Sequence, residues 1–246
     1  IKADSTVKGI LLEINSPGGS DYETAELTRA LKEIQKDKKI PIYASMESQA
    51  ASGGYYIAAN SDRIFASEDT MTGSIGVIMS SVNYSGLMEK LGITDATVKS
   101  GALKDIGSSS RPQTKEDKEV LQSFVDSMYS RFVKTVAEGR NMDEAKVRKL
   151  ADGRIYDGAQ ALDNGLIDEI GYPDQALISL KRNEGLTGAK VISYKSGTTN
   201  FMNTWLGNNL ADMQGLKPSL EELMTNIVKS IGTPQAPKAM YLYGGE

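Results

Sequence analysis

Met46-Glu-Ser-Gln-Ala-Ala-Ser-Gly-Gly-Tyr-Tyr-Ile-Ala-Ala-Asn60 is the stretch on which the reading of this chain turns. An apolar, β-prone run, Ile40 to Ala44, leads into it, and small residues at helical spacing lead out. Ser52 therefore falls at a strand-to-helix turn with Gly53 and Gly54 directly behind it. Such a turn can present a hydroxyl at a helix N-terminus. Free N–H groups and the positive dipole end there favour developing negative charge. Taken alone, a Ser-Gly-Gly more often does no more than cap the helix that follows. The rest of the chain lifts Ser52 above that.

The 246 residues contain no His and no Cys. Ser-His-Asp and Cys-His arrangements are thereby excluded, as are imidazole or thiolate metal sites. If Ser52 is a nucleophile, its base is an amine, a carboxylate or a metal-bound hydroxide. A lysine can serve where desolvation leaves it neutral. Lysines are numerous here, so position has to choose among them.

Three other stretches bear on that choice. Lys8-Gly-Ile-Leu-Leu-Glu-Ile-Asn-Ser-Pro-Gly-Gly19 reads as a buried strand ending in a tight turn, and its paired glycines can bring backbone N–H groups close to a ligand oxygen. Thr72-Gly-Ser-Ile-Gly-Val77 is a second small-residue turn, and Ser100-Gly-Ala-Leu-Lys-Asp-Ile-Gly107 places Lys104 in a short apolar setting. Together, from Val7 to about Tyr194, these motifs resemble the bacterial signal peptide peptidase A (protease IV) family of serine–lysine peptidases, which shares the fold of the Clp protease proteolytic subunit and the crotonases. The resemblance implies Ser52 as nucleophile and Lys104, 52 residues later (104 − 52), as general base. It implies Gly19 and Gly53 as backbone oxyanion donors and Ser74 as a hydroxyl that supports the lysine. It also implies degradation of cleaved signal peptides at a bacterial cell membrane, with the catalytic domain extracytoplasmic and the subunits in a ring-like homo-oligomer. No cofactor or metal is expected. The family carries an amino-terminal membrane anchor and core segments before the first glycine turn. Because Ile1 lies just ahead of that turn, the amino-terminal part is expected to be missing here.

Composition bounds the broad class. Hydrophobic residues at 39% and charged residues at 24% are those of a globular chain able to bury a core. A net charge of −4 offers no basic footprint for nucleic acid. No apolar run approaches the roughly 20 residues of a spanning helix, and no signal peptide is visible. On its own residues the chain reads as soluble, its membrane link resting on the absent anchor.

The expected architecture is α/β: a Clp/crotonase-like fold of repeated ββα units over residues 1–195, with a carboxy-terminal extension over 196–246. The alternation also suits a doubly wound sheet. Strands are predicted at Val7–Ile14, Ile40–Ala44, Arg63–Ala66, Gly76–Ser80, Leu166–Ile170 and Lys190–Tyr194. Helices are predicted at Tyr22–Asp37, from Ser52 to about Asn60, at Ser85–Leu91, at Asp143–Leu150 and at Ala159–Asn164. Thr114 opens a long helix, with Asp117 as its capping partner. Its stripe of Val120, Phe124, Met128 and Phe132 suits a core face, a subunit interface, or both. Arg154 and Asp157 read as structural. In the extension, Ser219–Ile231 reads as a capped helix, and Phe201, Trp205 and Leu206 are too apolar for a free tail. Pro234 and Pro237 keep the last residues extended, suited to entering an active site or to making an oligomer contact.

The expected chemistry follows. Lys104 takes the Ser52 proton, Gly19 and Gly53 hold the oxyanion, and the lysine returns a proton to the leaving amine. An ordinary lysine, with a pKa near 10.4, is a poor base at neutral pH, so Asp105 is expected to face away while Lys99 is solvated. Two rivals stand beside this reading. One is a crotonase-like acyl-CoA enzyme, which would need positioned carboxylates that Glu13 and Glu47 do not obviously supply. The other is a catalytically silent oligomeric scaffold.

Overall fold

The structure is a computed structural model, and it describes residues 1–193 and the backbone of Met240–Leu242. The elements in chain order are β1 (Ile10–Ser16), β2 (Gly18–Ser20), α1 (Asp21–Lys38), β3 (Ile42–Ala51), α2 (Gly53–Ala58), β4 (Arg63–Ala66) and β5 (Met71–Gly73). There follow α3 (Ser85–Lys90), α4 (Lys115–Gly139), α5 (Glu144–Leu150), β6 (Ile155–Tyr156), α6 (Gly158–Asp163), β7 (Glu169–Ile170), α7 (Pro173–Asn183) and β8 (Met240–Leu242). This is a mixed α/β architecture.

The sheet is built on β3. Its residues Ile42 to Met46 are buried on both faces, the pattern of a strand covered by helices. β1 lies parallel along one edge, from Ile10↔Ile42 to Ser16↔Ala50. The other edge is shared: β4 pairs with Tyr43–Met46, and β5 takes over at Gln49–Ala51. β7 extends β4 in parallel, and β6 closes the far side of β5 antiparallel. Ile14, Met46, Tyr55, Ile64, Phe132, Val136 and Leu166 meet in the main core, each 6% exposed or less. Burying side chains of this size stabilises by roughly 1.5–3 kcal/mol each.

Several expectations hold at residue level. Arg63–Ala66 is a strand over its whole predicted length. Thr114 caps α4 reciprocally with Asp117. The stripe on α4 divides: Met128, Phe132, Val133 and Val136 are buried, while Val120 and Phe124 are about half exposed. The helix is thus seated by its second half, where Phe132 meets the Tyr56 ring edge-on at 5.1 Å. Arg140, beyond its end, is locked by two hydrogen bonds to the Asp168 carboxylate at 2.7 and 2.9 Å.

Others are corrected. The strand entering the Ser52 turn does not stop at Ala44 but runs to Ala51, because β1 pairs again at Ala50 and β5 pairs with Gln49–Ala51. Gly76–Ser80 forms no strand; the ladder partner in that region is Met71–Gly73. Leu166 and Ile167 are core residues ahead of a two-residue strand. On α1 the buried positions are Thr24 and Thr28, with Leu31 and Ile34 packed against Ile10, Ile40 and Ile42. Helix α7, opened by Pro173 and docked through Ala176 and Leu180, was not predicted. Residues 190–193 form no strand, and Val191 and Ile192 are over 60% exposed. Phe201, Trp205, Leu206 and the helix at Ser219–Ile231 lie outside the described residues.

Near its end the chain returns. β8 pairs antiparallel with β2, in the register Gly18↔Leu242, Gly19↔Tyr241 and Ser20↔Met240.

Candidate active site

Ser52 sits between β3 and α2 with φ 53° and ψ −116°. A non-glycine residue there costs on the order of 1–3 kcal/mol and persists only where its surroundings over-determine it. They do so from both sides. The Ser52 N–H donates to the Gly73 carbonyl at 2.8 Å, continuing the β3–β5 ladder, and the Ser52 carbonyl accepts the first helical bond from Tyr56 N–H at 2.8 Å. Tyr55, fully buried, donates its hydroxyl to the Leu166 carbonyl at 2.9 Å and anchors the helix from below. The strained turn is therefore held by the sheet, by α2 and by the core.

The glycine turns close around it. A Cβ built on Gly53 would lie 3.3 Å from the Gly19 nitrogen and 2.8 Å from Thr24 Oγ1, so the two expected oxyanion donors are neighbours. A Cβ on Gly54 would meet the Ser16 carbonyl oxygen at 2.8 Å, so no larger residue fits without displacing β1. Thr24 was not anticipated. It is buried, and its hydroxyl donates at 2.8 Å to the Ser20 carbonyl at the end of β2. The one available sign was its place four residues after Ser20, on a helix whose apolar residues point elsewhere.

Ser74 lies beside Ser52 through the β5 pairing. It too has positive φ, 48°, and is buried; its N–H donates to the Arg154 carbonyl at 2.7 Å. Preceding it, Gly73 has φ 81°, and a Cβ there would meet the Tyr156 ring at 2.5 Å. Arg154 thus serves the site through its backbone, while its guanidinium pairs with Asp152. Asp157 caps α6 with Gln160. Both are structural, as expected.

The basic partner is arranged differently. Ser52 Oγ is buried and has no hydrogen-bond partner among the described residues. Lys104 stands exposed on the turn 101–107, so no Ser52–Lys104 hydrogen bond forms within one chain. Its neighbour Asp105 is engaged by other groups. Both Asp105 oxygens accept from Lys99 Nζ at 2.7 Å, and Arg111 donates to them at 2.8 and 2.9 Å. Arg111 first, then Lys99, hold this carboxyl well below the usual range. Lys99 is accordingly an ion-pair partner rather than a freely solvated cation. Glu13 and Glu47 are exposed and give no carboxylate pair at the serine. Among the described residues no group of acids could hold a metal ion.

A strained, buried serine beside two glycine turns, in a chain without imidazole or thiol, fits the class of serine hydrolases that work with a non-histidine base. Comparison with known proteins places that class. The chain belongs to peptidase family S49, whose model matches residues 34–187, and it is a serine peptidase. It is 56% identical over 245 residues to an Enterococcus faecium protein provisionally named signal peptide peptidase SppA, covering all of this chain and 71% of that one. It is 30% identical over 255 residues to Protease 4 of Haemophilus influenzae, covering 98% of this chain and 41% of that one. It is 32% identical over 187 residues to the chloroplastic serine protease SPPA of Arabidopsis thaliana, covering 76% of this chain and 27% of that one. No helix among the described residues is long and apolar enough to cross a membrane.

Proposed function

We propose that this chain is a serine–lysine endopeptidase that hydrolyses cleaved signal peptides and other extended apolar peptides at a bacterial membrane, outside the cytoplasm. Ser52 is the nucleophile, Lys104 the general base, Ser74 the hydroxyl that orients the amine, and the Gly19 and Gly53 N–H groups the oxyanion donors. The observation that carries this reading is the backbone of Ser52, strained at φ 53° with its hydroxyl buried and unpartnered beside the Gly19 nitrogen. A buried hydroxyl without a partner costs about 1–3 kcal/mol, and a hydroxyl awaiting its base accounts for that cost. Attack by Ser52 Oγ on the scissile carbonyl passes its proton to the lysine, and the lysine passes a proton to the leaving amine. Water, deprotonated by the same lysine, then frees the acyl group.

The base comes from a second copy in this reading. Within one chain Lys104 is exposed and Ser52 is without it, while Tyr84, Leu87, Leu91, Val98 and Phe124 leave an apolar surface about the same segment and α4. A ring in which each copy lends Lys104 to its neighbour covers that surface and completes the site. The strand–glycine turn–helix units at β1–β2–α1 and β3–α2 agree with a Clp/crotonase-like spiral over residues 1–195.

The β2 edge is where an extended peptide adds, by backbone pairing. The chain's own Met240–Leu242 occupies that edge, and we read residues 196–246 as an extension whose end competes with substrate. Removing residues 237–246 is expected to lower KM for a short peptide several-fold, because a tethered competitor acts at roughly millimolar effective concentration. An unchanged KM, with no trimming of the tail by wild type, would rule the competition out. The function itself is tested by digesting a library of extended apolar peptides with the purified protein and with Ser52→Ala. Wild type is expected to cleave and the variant to leave the library intact. Equal cleavage by both would refute the assignment.

A further inference from the structure

We propose that Arg111 and Lys99 are positioning residues for the lysine base: by gripping Asp105 between them they fix the turn that carries Lys104 and keep the nearest acid off its amine. This rests on the reading of Lys104 as base. The segment between α3 and α4 contains no strand, and the turn itself is held by short-range backbone bonds, Lys104 N–H to the Gly101 carbonyl and Ile106 N–H to the Leu103 carbonyl, both at 3.1 Å. Its side-chain tether to the folded body is Arg111. That guanidinium meets Asp105 on one side and the Asp117 carboxylate on the other, through Nη2 at 3.1 Å and through Nη1. Asp117 is 1% exposed and is the capping residue of α4, accepting from the Thr114 N–H at 2.9 Å. A path of charge-assisted hydrogen bonds therefore runs from the core-seated helix to the residue next to Lys104. Bidentate guanidinium–carboxylate contacts are the kind that fix geometry as well as charge.

The grip also has an electrostatic consequence. Asp95, Lys99, Asp105 and Arg111 are the charged groups joined to this loop, and Asp117 faces it from α4; Asp95 accepts from the Ser110 hydroxyl at 2.5 Å. A carboxylate released toward an amine favours the ammonium form and takes the base out of action at neutral pH. Asp105 is the acid adjacent in sequence to Lys104, and it is the one gripped from two sides.

The test is the pH dependence of kcat/KM in the full chain for wild type, Arg111→Gln, Asp105→Asn and the double variant. Activity rises with pH as a lysine base loses its proton. Arg111→Gln is expected to move the midpoint of that acidic limb upward by about half to one pH unit, with a several-fold loss at neutral pH, since Asp105 keeps only Lys99 and a cation is lost. Asp105→Asn is expected to move it downward, because Lys99 and Arg111 remain and their acid is gone. The double variant should return it near wild type. If the grip only stiffened the loop, both single variants would lower activity with the limb unmoved, and that result overturns the proposal. Should Arg111→Gln fail to fold because Asp117 loses its partner, Lys99→Gln is expected to give a smaller upward movement, and an unmoved limb there overturns the proposal equally. Lys104→Ala separates the two levels: full activity in that variant ends the base assignment and the proposal with it, whereas an inactive Lys104→Ala beside coincident limbs overturns the grip alone.

Discussion

Ser52→Ala and Lys104→Ala are each expected to lower kcat on the order of 10³-fold or more, and the double variant to fall little further, because residues that act as one unit lose their effect together. In the proposed mechanism the serine supplies the attacking oxygen and the lysine both proton transfers, so neither retains a role without the other. Thermal unfolding distinguishes this from misfolding. Ser52 Oγ is buried with no hydrogen-bond partner among the described residues, so its removal is expected to leave Tm unchanged or raise it slightly. Lys104 is exposed, and its truncation should be equally silent in stability. Loss of activity with Tm retained is the expected signature, read from peptide turnover and a melting curve on the same samples. Near-wild-type turnover by Lys104→Ala would defeat the dyad.

Mixing the two inactive variants is expected to restore activity. Within a single chain Lys104 makes no hydrogen bond to Ser52. If each site takes its serine from one copy and its lysine from the next, co-assembly of Ser52→Ala with Lys104→Ala creates interfaces where an intact serine meets an intact lysine. Random assembly at equal ratio makes about one quarter of the sites of a heterologous ring intact. A dyad confined to one chain would give no recovery at any ratio. Turnover by the co-expressed mixture, beside each variant alone, decides between them.

The local structure around Ser52 was legible in the sequence wherever short-range pattern carries the information. The apolar run followed by Ser-Gly-Gly places a strand-to-helix turn at Ser52, and the lack of His and Cys leaves an amine, a carboxylate or a metal-bound hydroxide as its base. Thr114 and Asp117 mark the start of α4 because a capping box is a matter of three-residue spacing. Arg63–Ala66 was legible because its apolar residues sit between turn residues. The reading failed where partners far along the chain decide. Glu47, Ser48 and Gln49 break the apolar run, yet they lie within β3 because β1 pairs on either side of them, at Met46 and Ala50, and β5 pairs from Gln49 onward. Gly76–Ser80 reads as a strand but forms none, and three residues at Met71–Gly73 are too few to leave a periodic trace. The grip of Arg111 on Asp105 and Asp117, and the return of Met240–Leu242 to the Gly18–Ser20 edge, join segments whose partnership no local spacing records.

The central claim is that Ser52 is a nucleophile activated by Lys104 without any imidazole. Its most direct test is reaction with a fluorophosphonate, with the modified residue located by peptide mass spectrometry. The account predicts one adduct per chain, on Ser52, absent from Ser52→Ala and strongly slowed in Lys104→Ala. An adduct on another residue, or labelling of Ser52 at the same rate with and without Lys104, would contradict it.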